Sequence, residues 1–149
     1  MNQYTIELQA YKEQAINTMT PGEMLILLYD EAVKRLRRAK LLANNSDFEN
    51  FDKEIKRAQE IVTYLNDALD RRYAISNELT RMYNFFHYQL ARITASRNLV
   101  LIDELERGLE GVGANDAEDG AEDLFAVDAH LGLDVVEKTG AEEETFAAG

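Results

Sequence analysis

The stretch FENFDKEIKRAQEIVTYLNDAL, residues 48–69, decides the fold. Its apolar residues Phe48, Phe51, Ile55, Ala58, Val62, Leu65 and Leu69 step by 3, 4, 3, 4, 3 and 4, which places all seven along one side of an α-helix. A strand would need alternation, and none is sustained here. Upstream, Thr20-Pro21-Gly22-Glu23 reads as a helix start. The threonine hydroxyl caps, proline suits the first turn and Glu23 completes a capping box. Behind it Leu25, Leu28, Tyr29, Ala32, Leu36 and Ala39 keep helical spacing until Asn44-Asn45-Ser46. That predicts a helix over 21–43, roughly 35 Å long at 1.5 Å per residue. Downstream, Leu79, Met82, Tyr83, Phe86, Leu90 and Ile93 predict a third helix over 76–95. Leu101, Ile102, Leu105 and Leu109 predict a fourth over 98–109, stopped by the glycines from Gly108 to Gly113. Links of a few residues make successive helices antiparallel neighbours. The expected architecture is an all-α antiparallel four-helix bundle over 20–110. Before it, residues 1–19 carry a short amphipathic segment with Tyr4, Leu8, Tyr11 and Ala15 on one side.

Charge divides the 149 residues unevenly. Residues 111–149 hold eleven acids and Lys138, whereas residues 1–110 hold seventeen acids against fifteen bases, within a net charge of −12. Seven of the eight glycines lie at or beyond Gly108. The expectation is a near-neutral body with an acidic, glycine-containing tail over 111–149. That tail contains one apolar island, Leu124, Phe125, Val127, Leu131, Leu133, Val135 and Val136.

Several functions are disfavoured by what is missing. There is no cysteine, so thiolate metal sites and disulfides are out. His87 and His130 are the only histidines, and neither follows a glutamate three residues back as the di-metal bundle motif requires. No glycine-rich phosphate loop or nucleophile elbow occurs. The longest apolar run, from Met24 to Tyr29, is far below the roughly 20 residues of a bilayer span. Lys34, Arg35, Arg37, Arg38 and Lys40 form a basic cluster, read as the solvated face of a helix. Nucleic acid binding would need a net positive field that the neighbouring acids cancel. No enzyme activity, cofactor, metal, nucleic acid or membrane insertion is expected, and the location expected is the cytoplasm.

The positive signal is a surplus of apolar side chains. Ile26, Leu27 and Val33 fall off the seam of the helix over 21–43, and Ile61, Tyr64 and Ala68 form a second stripe beside the seam of the next. Tyr73, Phe85 and Tyr88 are also surplus. An exposed stripe of this kind suits a foreign helix or a second copy of the chain. The same residues would be ordinary core if the helix registers differ slightly.

These residues resemble the flagellin-specific export chaperones of the FliS family. The resemblance is carried by Tyr11, Gln14, Ile16 and Thr18, then Thr20-Pro21-Gly22-Glu23-Met24-Leu25, then Leu28-Tyr29-Asp30 with Ala32. Weaker matches follow at Ala58-Gln59, Ile61, Leu65, Leu69-Asp70, Leu79, Tyr83 and Leu90, so that residues 4–109 are covered. Glu31 stands where the family usually has glycine, and Glu110-Gly111-Val112-Gly113 stands where its last helix continues. The resemblance implies a four-helix chaperone that binds the C-terminal segment of flagellin, prevents premature polymerisation and delivers it to the flagellar export apparatus. It also implies that the N-terminal segment covers part of the groove. The partner surface is assigned to Tyr11, Ile16, Ile26, Leu27, Tyr29, Val33, Ile61, Tyr64, Ala68 and Tyr83. A helical bundle that merely dimerises through the same faces is the alternative.

Overall fold

The structure is a computed structural model, and it describes residues 2–17 and 20–118. Five helices follow one another: α1 Gln3–Asn17, α2 Pro21–Asn44, α3 Phe48–Asp67, α4 Ile75–Ser96 and α5 Leu99–Glu118. No strand occurs among the described residues.

Local chemistry sets the helix ends. The Thr20 hydroxyl accepts from the Glu23 amide at 3.2 Å, and Pro21 occupies the first turn of α2, where its missing N–H costs nothing. The far end of α2 closes as a Schellman motif. The Asp47 amide bonds the Leu42 carbonyl at 2.9 Å and the Ser46 amide bonds the Ala43 carbonyl at 3.0 Å, with Ser46 at φ 58. Asp47 then caps α3 by accepting from the Asn50 amide at 3.3 Å. Arg97, at φ 53, ends α4 with a left-handed turn. Its guanidinium lies 4.4 Å from the Phe48 ring centroid and reaches Asp52, which holds the corner against α3. The α3–α4 connection is clasped by Arg71, which bonds Thr80 and the Asn66 carbonyl, and by the Arg72–Asp70 pair at 2.6 Å. The Arg72 hydrogen bonds hold the Asp70 carboxyl down to about 2.

Four helices enclose one core. α2 packs against α3 and α5, and α4 against α3 and α5, so α2 and α4 lie on a diagonal. Leu25, Leu28, Leu36, Phe51, Ile55, Leu65, Phe86, Leu90, Ile93, Ile102 and Leu109 are among the residues sealed inside. On the diagonal, the Tyr29 and Tyr83 hydroxyls meet in a buried hydrogen bond.

Two expectations are corrected here. α5 does not stop between Gly108 and Gly113 but runs to Glu118. The reason is partly visible at Gly108: a Cβ there would meet Phe86 at 3.5 Å, so the glycine sits under a ring inside the helix and does not mark a turn. Glycine weakens a helix by about 1 kcal/mol but does not end one that is docked. The second correction concerns the basic cluster. Arg35 is wholly buried between Glu54 of α3 and Glu31, each at 3.3 Å. Arg37 binds Glu110 at 2.7 Å, and Lys40 binds Asp103 at 2.8 Å and Glu106 at 3.0 Å. These hydrogen bonds, Asp103 first, raise the Lys40 pKa. Arg35, Arg37 and Lys40 therefore join helices, because α2 meets α3 on one flank and α5 on the other. The expected tail over 111–149 lies outside the described residues beyond Glu118.

Candidate partner-binding surface

The ion pairs orient each helix, and the assigned partner residues divide accordingly. Val33 lies one and two turns before Arg37 and Lys40, on the flank of α2 that meets α5, and is buried. Ile61 lies two turns after Glu54, on the flank of α3 that meets α2, and it too is buried, as is Ala68 one further pair of turns along. The surplus reading of Val33, Ile61 and Ala68 is therefore corrected. A helix with two neighbours buries an arc wider than one stripe, and these three fill it. Tyr29 and Tyr83 are interior as well, with their hydroxyls joined.

Ile26, Leu27 and Tyr64 are different. Ile26 is 42 % exposed, while Leu27 and Tyr64 pack on the core with one side still in water. Tyr64 stands one turn from Ile61 and from Ala68, so those two buried residues support it from below. Ile26 stands one turn from Tyr29 and two from Val33 in the same way. By the same ion pairs Ile26 lies on the α5 flank of α2, whereas Leu27, one turn before Glu31, lies on the flank that meets α3, where Tyr64 stands; all three are partly uncovered above a closed floor.

α1 supplies further uncovered apolar surface. Tyr4, Ile6, Leu8 and Tyr11 are all exposed, Tyr11 at 71 %. The side chain of Ile16 lies outside the described residues, although its backbone belongs to α1.

A second apolar strip follows the α4–α5 seam. Tyr73, Phe85 and Tyr88, surplus by sequence, are exposed, and so is Ile75. Leu79 and Met82 of α4 and Leu101 and Val112 of α5 are half-buried against the core. Leu79 and Met82 look like plain core in the sequence, and Ile75 and Val112 carry no signal there. The clue that could have revealed the strip is Gly108: a helix interior without a side chain opposite Phe86 leaves the seam shallow.

Polar chemistry on these surfaces is sparse. His87 is half-buried, its Nε2 3.3 Å from the Thr63 hydroxyl, and burial lowers its pKa. No group of three or more His, Cys, Asp or Glu residues suited to a metal ion occurs among the described residues. No described helix is long and apolar enough to cross a membrane. The surface offers exposed and half-buried apolar side chains that can mask an apolar helix face.

Comparison with known proteins adds the family. The family described as "Flagellar protein FliS" matches residues 3–114. The Flagellar secretion chaperone FliS of Bacillus subtilis (strain 168) is 30% identical over 105 residues, covering 70% of this chain and 76% of the relative. The match takes in α1, the four bundle helices and the exposed apolar surfaces together, and the chain belongs to the FliS family of flagellar secretion chaperones.

Proposed function

We propose that this chain is a cytoplasmic export chaperone that holds the C-terminal segment of flagellin and presents it to the flagellar export apparatus. The supporting observation is that Ile26, Leu27 and Tyr64 stay half-exposed over a core that is already closed beneath them. A flagellin segment that assembles through apolar helix faces is an aggregation hazard while free, and such side chains can cover those faces without a nucleotide or a cofactor. Tyr29, Val33, Ile61, Ala68 and Tyr83 act in this reading as the floor, and Tyr11 and Ile16 as a competing lid. Ordering the guest costs about 2–5 kcal/mol, which keeps a large contact area releasable.

Calorimetric titration of the full chain with the C-terminal segment of its own organism's flagellin tests the proposal. The double substitution Ile26→Asp and Leu27→Asp is expected to weaken binding at least tenfold while the far-ultraviolet helix signal stays unchanged. Equal affinity for wild type and variant, or no heat with wild type at all, overturns it. A mass that doubles with concentration in the absence of flagellin would instead favour the dimerising bundle.

A further inference from the structure

The two walls of the strip along α4 and α5 differ in charge, because α5 holds six acids, Asp103, Glu104, Glu106, Glu110, Asp116 and Glu118, against Arg107 alone. α4 carries Arg81 and Arg92 against the single acid Glu78, in a chain of net charge −12. Both arginines are exposed and neither has a carboxylate partner among the described residues. Arg92 instead bonds the Gln89 side chain at 3.1 Å and lies 5.8 Å from the Tyr88 ring centroid. The strip thus offers Leu79, Met82, Phe85 and Val112 as half-buried or exposed apolar side chains, with Arg81 and Arg92 along its α4 side.

The chain beyond Glu118 has chemistry complementary to the α4 side of the strip. Residues 119–149 hold nine acids and one lysine, a charge of −8, and enclose the apolar island. Within the island Leu124, Val127, Leu131 and Val135 step by 3, 4 and 4, the spacing of one helix face. The geometry of the connection also fits. α5 ends on the side of the bundle where α4 begins, since the two are joined by only Arg97 and Asn98. Residues 119–123 can reach about 17 Å, enough to reverse direction. A helix over 124–136 would span roughly 20 Å, the same length of α4 as lies between Ile75 and Tyr88.

We propose that residues 119–149 dock back on the α4–α5 strip, laying Leu124, Val127, Leu131 and Val135 over Leu79, Met82, Phe85 and Val112, with the tail's acids beside Arg81 and Arg92. A second copy of the chain is the poorer occupant, because it would bring its own Arg81 and Arg92 against the same cations. The tether adds an effective concentration of order millimolar that a separate chain does not have. The docking stands whether or not flagellin is the guest elsewhere on the bundle.

The full chain is the object to test, and its lack of cysteine makes site labelling simple. A spin label on Tyr88→Cys is expected to broaden the amide signals of 124–136 in the same molecule, and hydrogen exchange there to be slowed at least tenfold. Leu131→Asp in the tail and Phe85→Asp on the strip should each abolish both effects. The tail variant decides should the Phe85 variant lose its helix signal. Exchange at the unprotected rate throughout 124–136 overturns the docking. Broadening that survives Leu131→Asp overturns the stated contact, and broadening seen only between labelled and unlabelled molecules mixed together assigns the strip to a second copy.

Discussion

Arg35 carries a full positive charge where no water reaches it, held at 3.3 Å by Glu54 and at 3.3 Å by Glu31. Taking two charges out of water is expensive, and the pair is tolerable only because each compensates the other. Glu54→Ala should therefore destabilise the fold by about 3–5 kcal/mol in urea unfolding, far more than loss of an exposed pair such as Arg37–Glu110. His87 gives a smaller, pH-dependent effect. Burial lowers its folded pKa below the ordinary 6.5, so the unfolded chain binds more protons in that region. Stability from this residue is present above the ordinary value and falls as the pH drops through it. Urea midpoints at pH 7.5 and 5.5 should thus differ less for His87→Gln than for wild type, and an unchanged difference would remove His87 from the account.

At the scale of the element, α5 is the instructive helix. Its glycines at 108 and 111 are interior positions, and a Cβ at Gly111 would meet nothing within 4 Å. Gly111→Ala should then raise stability by about 1 kcal/mol and increase the melting temperature by a few degrees in a calorimetric scan. If the helix ended near Leu109, the same change would do nothing. α3 was readable from its sequence alone because its 3–4 spacing repeats through Leu69, and the start of α2 because Thr20 and Pro21 have a fixed chemical use there. The end of α5 was not readable, because a glycine pair looks the same whether it breaks a helix or lies beneath Phe86. The α2 arginines were misplaced for a related reason. Helix spacing tells which residues share a side, but not that two of α2's sides are covered by different neighbours.

For the whole molecule, the question is how much apolar surface remains once the bundle has closed. The sequence gives the excess correctly in kind, through Ile26, Leu27, Phe85 and Tyr88, but overstates it at Val33, Ile61 and Ala68, which the second neighbour of each helix covers. If α1 competes with the flagellin segment, deleting residues 1–16 should leave the calorimetric affinity equal or higher. A sharp loss would make the α1 residues direct contacts. The connections between helices carry a last consequence. Residues 45–47 and 97–98 are tight corners fixed by left-handed Ser46 and Arg97, whereas 68–74 is longer and depends on the Arg71 clasp. Should two copies ever trade parts, the break would fall at 68–74, and each molecule would lend its last two helices to the other. Arg71→Ala would favour that exchange, yielding an intertwined pair that persists on dilution.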